Sequence, residues 1–383
     1  MVLATKPSYF DGNDIEKARG LHQLLREDGT PVDESTLAKF DRELARKMFE
    51  AMLRIRVTDA RMIALHRQGR ISFYGEAMGQ EAAVVGSAAA TKPNDWIVPA
   101  LREAGVGLYR GMPLDNYIAQ VYGSGNDVTK GRQMPCHPCD REHNYVVMSS
   151  CVSTQVPHAV GIAMAMKIKG DKDRCAVGYM GDGGTSEGDV HVSLNFAGVM
   201  KAPVVLVCQN NQWAISTPGT IQTASETIAI KALGYGVEPI RADGNDMFAV
   251  YDAVRYATEK ARRGDGPTFV ELLTYRVSAH SSSDDPSRYR DEKVTEVWRH
   301  QRDPLRRAEI YLRGRGWLAE GEREALAERL DAECKEAVAK AEGAGIPPLQ
   351  SLVDDVYEDV PWNLREQLSV LESLPRVKPP HQH

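Results

Sequence analysis

Three things this 383-residue chain lacks narrow its class before any motif is read. No apolar run approaches the ~20 residues needed to span a bilayer, and the start, MVLATKPSYFDGNDIEK, has no apolar targeting core and carries acidic residues that argue against a transit peptide. No basic block stands out from 47 Lys+Arg against 53 Asp+Glu, a net charge of −6, so neither nucleic acid nor a membrane surface is expected as a partner. Cysteine is sparse. Six in the whole chain do not describe a disulfide framework, and a reducing cytoplasm is the expected setting. Cys136 and Cys139 form C-x-x-C around His137, but no second ligand pair stands at zinc-like spacing, so a metal or redox role is not the expectation.

What is present points to one large α/β domain with extensions. Hydrophobic residues make up 42% of the chain, enough for a sizeable core, whereas two full domains would be tight. Residues 1–40 are polar, carry Gly and Pro, and read as an N-terminal arm. Residues 41–290 hold the strand and helix patterns of the domain. Residues 291–383 alternate charges with Leu, Ala and Ile at helical spacing and read as a helical C-terminal region whose tail, KPPHQH, is expected to be disordered. Phe40, Leu44, Met48, Met52 and Ile55 predict an amphipathic helix over 40–68, and AAVVGSAAAT a closely packed one. Further on, 237–242 and 268–275 predict strands joined by a helix over 246–263, and the polar stretch 278–290 predicts a mobile loop.

The chemistry concentrates between Cys175 and Ser216. A short apolar run turns at Gly181-Asp182-Gly183-Gly184, a helical segment follows, and a second apolar run ends at Asn210-Asn211. That is a βαβ unit with polar groups at the carboxyl ends of both strands, where parallel sheets bind ligands. The glycines allow a tight turn and close backbone approach, and the following helix points its positive end at the same place, which suits a phosphate. Asp182 and the Asn211 amide oxygen are hard donors that fit a small octahedral cation, so the pair describes a magnesium-diphosphate site. A dinucleotide fingerprint would need Gly where Ser186 stands, and a P-loop needs a Gly-Lys-Ser/Thr ending that is absent. A lone Gly-Asp-Gly is ordinarily no more than a turn between buried strands. Here Asn-Asn follows it after 26 residues, at the end of the second strand.

That pairing resembles the thiamine diphosphate (ThDP) motif, and the similarity continues through GRISFYGEAMGQEA (69–82), LREAG (101–105), KGRQMPCH (130–137), SSCVSTQ (149–155), NNQWAIS (210–216) and YRVSAHSSSDDPSRYR (275–290). In these segments the chain resembles the alpha subunit of the ThDP-dependent dehydrogenase (decarboxylase) component of 2-oxo acid dehydrogenase complexes. Its wording is nearer the branched-chain (2-oxoisovalerate) type than the pyruvate or acetoin type. The resemblance implies a ThDP-binding fold, a mostly parallel sheet flanked by helices with helical N- and C-terminal extensions. It also implies ThDP and Mg2+ as cofactors, K+ as a structural ion, and a 2-oxo acid substrate such as 3-methyl-2-oxobutanoate. The implied partners are a beta subunit in an α2β2 heterotetramer and a lipoyl-bearing acyltransferase component.

Site residues follow from the same resemblance. Arg102 stands where the family grips the diphosphate, although its position before Glu103 reads by itself as a surface ion pair. Gly181, Asp182, Gly183, Gly184, Asn211 and Trp213, the last through its backbone carbonyl, correspond to the diphosphate and magnesium ligands. In SSCVSTQ, by itself a helix-capping loop, Ser150 and Val152 match cofactor contacts, and Ser149, Thr154 and Gln155 match the potassium ligands. Arg276 and His280 complete the set, with His280 expected as a proton donor titrating near neutral pH. Ser281 corresponds to a serine phosphorylated in mitochondrial relatives. The chain departs from the family at Ala100-Leu101, where Gln-Tyr or Tyr-Tyr is common, at Cys151 in place of Pro, and at Val152 in place of Leu.

Overall fold

The computed structural model describes residues 14–375, so the beginning of the N-terminal arm and the KPPHQH tail lie outside the described residues. Five strands, β1 (Trp96–Val98), β2 (Ala176–Gly181), β3 (Val204–Asn210), β4 (Glu238–Asp243) and β5 (Thr268–Leu273), form one parallel sheet in the order β1-β2-β3-β5-β4. The apolar runs of the central β2 and β3 are near-continuous because both faces are covered, whereas β4, at one edge, carries Glu238, Arg241 and Asp243. Val204 to Val207 are all 0% exposed, each contributing ~1.5–3 kcal/mol of burial. The register sets Gly181 opposite Gln209 and Asn210 opposite Leu273, which brings the carboxyl ends of β2, β3 and β5 to one edge.

The helices α1 (Arg42–Arg67), α2 (Glu81–Ala89), α3 (Ala104–Arg110), α4 (Leu114–Tyr122), α5 (Gln155–Lys169), α6 (Gly188–Met200), α7 (Met247–Arg263), α8 (Glu292–His300), α9 (Pro304–Gly314), α10 (Glu322–Gly343) and α11 (Trp362–Ser373) surround this sheet. Asp41 caps α1 by accepting from the Leu44 N–H at 2.7 Å, and its predicted apolar stripe turns Met48, Met52 and Ile55 inward. The small residues of α2 are there for contact with α7. A Cβ on Gly86 would lie 2.8 Å from Val250 and from the Met247 carbonyl oxygen. α10 packs along α1 and α4, and Leu305, Tyr311 and Leu330 share one core with Phe49 and Met52. Among the described residues no helix is long and apolar enough to cross a membrane.

The described part of the arm is tied into the sheet. His22 pairs with β4, donating to Arg241 O at 2.8 Å and accepting from Asp243 N at 2.9 Å, while the Asp246 carboxylate takes the Leu24 and Leu25 N–H groups. Backbone pairing of this kind needs no hydrophobic period, which is why the segment reads in sequence only as an arm.

Candidate functional site

A cavity of about 570 Å3 opens at the carboxyl ends of β2 and β3. Arg102, Ser149, Ser150, Val152, Gln155, Gly181, Gly183, Gly184, Asn211 and His280 line it, so ten residues expected from sequence meet there from five separate segments. Asp182 is buried between the two flanking glycines, and Arg276 is completely buried. Trp213 and Thr154 do not line it; Trp213 lines a separate cavity, and its N–H donates to Asn211 Oδ1 at 3.1 Å.

The glycine turn works by close approach, and left-handed backbone plays no part. None of Gly181, Gly183 and Gly184 has a positive φ. A Cβ on Gly184 would lie 2.5 Å from Ser153 Oγ, which donates to the Gly184 carbonyl at 2.9 Å, and a Cβ on Gly183 would lie 2.7 Å from Ala214. A short 3-10 turn, Gly183–Ser186, separates Asp182 from α6, so the helix does not begin on the turn as the sequence suggested. Lys231 holds that turn from behind, its Nζ 3.0 Å from Thr185 Oγ1.

Unpartnered buried atoms gather around this turn. Asp182 Oδ2, Gln80 Nε2, Gln155 Oε1, and Arg276 Nε and Nη1 all lack a hydrogen-bond partner. Such groups are costly unless a ligand satisfies them. Burial pushes the Asp182 carboxyl up to about 6, with Arg276 acting in the opposite direction. An acceptor without a donor calls for a cation, and a guanidinium edge without an acceptor calls for an anion. These residues therefore fit a metal and a diphosphate, and Gln155 Oε1 is free to act as a potassium ligand.

Arg102 is not a surface residue. It is 7% exposed, donates to the carbonyls of Glu76 and, at 2.8 Å, His280, and is lowered to about 10 by burial and by Arg276. Its neighbour Glu103 turns away to accept from the Gln209 amide and from the Arg102 N–H at 3.2 Å, and burial raises it to about 7. His280 departs from the near-neutral titration expected of it. Burial, then Arg102 and Arg276, lower it to about 4, so the imidazole of the chain by itself is neutral at pH 7. Thr154 precedes α5 without a side-chain capping bond, so SSCVSTQ does not cap that helix in the expected way. The 278–290 loop is hydrogen-bonded along its length. Asp284 accepts from the His280 N–H at 2.8 Å and from the Tyr289 hydroxyl, Arg276 donates to the same hydroxyl, and Arg290 donates to the carbonyls of 276, 277 and 278. Ser281 lies in it, half-buried.

Sequence reasoning gave His137 no role, although it stands inside C-x-x-C and ends the KGRQMPCH segment. Its Nδ1 lies 2.9 Å from the Pro135 carbonyl, which can only accept, so the proton is on Nδ1 and Nε2 accepts from the Ser150 hydroxyl. The two flanking thiols do no such work. Cys136 is pushed up to about 12 by burial, all six cysteines are free, and among the described residues no group of three or more His, Cys, Asp or Glu is placed to hold a metal.

The family profile described as dehydrogenase E1 component matches residues 49–350. The chain is 43% identical over 346 residues to the 2-oxoisovalerate dehydrogenase subunit alpha 2, mitochondrial, of Arabidopsis thaliana, covering 90% of this chain and 73% of that protein. It is 39% identical to the Caenorhabditis elegans subunit alpha over 94% of this chain and 83% of that protein, and 38% identical to the Homo sapiens one over 93% and 79%. A match that spans α1 to the C-terminal helices, with the glycine turn and Asn211 at its centre, shows that the chain belongs to the dehydrogenase E1 component family, alongside the alpha subunits of 2-oxoisovalerate dehydrogenases.

Proposed function

We propose that the chain is the alpha subunit of a branched-chain 2-oxo acid dehydrogenase, decarboxylating substrates such as 3-methyl-2-oxobutanoate and passing the acyl group to the lipoyl group of an acyltransferase component. The observation that carries this reading is the buried, unpartnered Asp182 Oδ2 beside an equally unpartnered Arg276 edge, a place built for a metal and an anion together. Bound ThDP would supply the carbanion chemistry and electron storage. Asp182, Asn211 and the Trp213 carbonyl would hold magnesium, and Ser149, Thr154 and Gln155 a potassium ion. Arg102, Arg276 and the 183–184 backbone would orient the diphosphate. The Ser150 hydroxyl and Val152 would face the rest of the cofactor.

His280, held by its backbone, lines the cavity, where it can carry a proton to or from the reacting group. Phe73, Leu101, Met134, Met148 and Ile215 give the cavity an apolar wall suited to a branched acyl chain. A beta subunit in an α2β2 assembly would complete the cofactor site.

The test is reconstitution with the beta subunit, ThDP and Mg2+. The lone chain should be inactive, and the assembled enzyme should favour 3-methyl-2-oxobutanoate over pyruvate in kcat/KM by at least about tenfold. Asp182→Ala and Asn211→Ala should each lower Mg2+-dependent ThDP affinity by orders of magnitude. Unchanged affinity in both variants would refute the cofactor site, and a preference for pyruvate would refute the branched-chain substrate alone.

A further inference from the structure

A side-chain amide can offer either its oxygen or its NH2 to a ligand, and only the oxygen suits a cation. Asn211 Nδ2 donates to Gln80 Oε1 at 3.1 Å, with both side chains buried. The NH2 is thereby committed, and Oδ1 is turned to the side where the Trp213 N–H reaches it. Gln80 is itself rigidly held. It is 0% exposed and enters α2 from Gly79, whose φ of +92° and carbonyl-limited surroundings admit only glycine. A Cβ there would lie 2.5 Å from Tyr275 O. The Gly79 N–H is taken by Glu81 at 2.9 Å, and Glu81 is in turn paired with Arg56. Gln80 also lines the cavity, and its Nε2 has no partner.

We propose that Gln80 is a positioning residue of the metal site: its Oε1 locks the Asn211 amide in the orientation that presents Oδ1 to the cation, and its Nε2 remains a donor at the cavity wall for an anionic group. Without an acceptor at this position only the Trp213 N–H would hold the amide, and the orientation that offers the NH2, which repels a cation, would cost less. Partners of this kind, one bond removed from the metal, typically govern affinity by about 10–100-fold.

The inference rests on the reading that Asn211 holds magnesium, and the experiment separates the two. Mg2+ is titrated calorimetrically into the αβ assembly at saturating ThDP, for wild type, Gln80→Leu, Gln80→Glu and Asn211→Ala. Gln80→Leu, which removes the acceptor, should weaken Mg2+ affinity by about 10–100-fold, with ThDP binding restored at high Mg2+. Gln80→Glu, which keeps an acceptor, should bind Mg2+ at least as well as wild type. Gln80→Met replaces Gln80→Leu if the latter does not assemble. Wild-type Mg2+ affinity in Gln80→Leu alongside a defect in Asn211→Ala overturns the role of Gln80 alone. Wild-type affinity in Asn211→Ala overturns the metal site itself. An equal loss in Gln80→Glu and Gln80→Leu also overturns the locking role, since both variants lack the Nε2 donor and only Gln80→Leu lacks the acceptor.

Discussion

Asp182 and His280 are driven in opposite directions by the same surroundings. Burial lifts the Asp182 carboxyl to about 6, and a magnesium ion needs it ionised, so proton and metal compete for one group. Mg2+-dependent ThDP affinity should therefore fall as pH drops through about 6, with protons released into the buffer on binding near that pH. Calorimetry in buffers of different ionisation enthalpy reads both, and a flat affinity between pH 5 and 7.5 would contradict the competition. For His280 the neutral form is favoured in the folded chain, so its contribution to stability is present above the unfolded pKa and lost as pH falls toward about 4. The diphosphate would reverse part of that shift by placing negative charge beside the ring. His280→Ala should slow reductive acylation of the lipoyl domain by about 100-fold or more while leaving ThDP affinity nearly unchanged. Comparable losses in rate and in affinity would make His280 a binding residue. The residue types of both groups could be named from their motifs. Their charge states could not, because Arg102 and Arg276 reach His280 from distant or folded-back segments.

At the level of elements, the loop that carries Phe73 and Gln80 is fastened to α1 through Asp59. That carboxylate accepts from the Tyr74 hydroxyl at 2.8 Å and the Ala77 N–H at 2.8 Å, and Tyr74 meets the Tyr117 hydroxyl of α4 at 2.9 Å. Burial raises Asp59 to about 8, so the folded chain retains a proton that the unfolded chain releases near pH 4. Its stabilising contribution is complete below that lower value and is lost as pH rises toward about 8. Asp59→Asn, which does not titrate, should gain on wild type as pH is raised from 5 to 8. The change in relative stability should be at least about 1 kcal/mol, followed by chemical denaturation at each pH. A constant difference across that range would show Asp59 to be ionised throughout. The helix itself was legible from Phe40 to Ile55 because burial repeats with the helical turn. The acid on its inner face was not, since periodicity says nothing about which polar residue finds a partner.

Across the whole molecule, the N-terminal segment, the sheet and the C-terminal helices are joined at Asp243. Its Oδ2 accepts from Arg307 on α9 at 2.6 Å and from the Gln23 amide at 2.8 Å, with the Arg307 side chain only 2% exposed. Removing one member of a buried ion pair leaves the other uncompensated, so Arg307→Ala should cost about 3–5 kcal/mol, measured as a lower denaturant midpoint. A shift below about 1 kcal/mol, the value of an exposed pair, would mean that water already reaches this junction.

The βαβ unit, its Gly-Asp-Gly turn and the Asn-Asn end were within reach of the sequence because strand length, helical period and turn chemistry are local properties carried by neighbouring residues. Family wording then supplied Arg102, Ser150 and His280 as residue types. The partners that set their behaviour lie elsewhere in the chain: Gln80 meets Asn211 across 131 residues, Glu103 meets Gln209 across 106, and His137 turns back on Ser150 across 13. The first two are buried polar pairs and the third is half-buried, and such pairs carry no period. Only the packing that removes water from both members decides which donor is left for which acceptor.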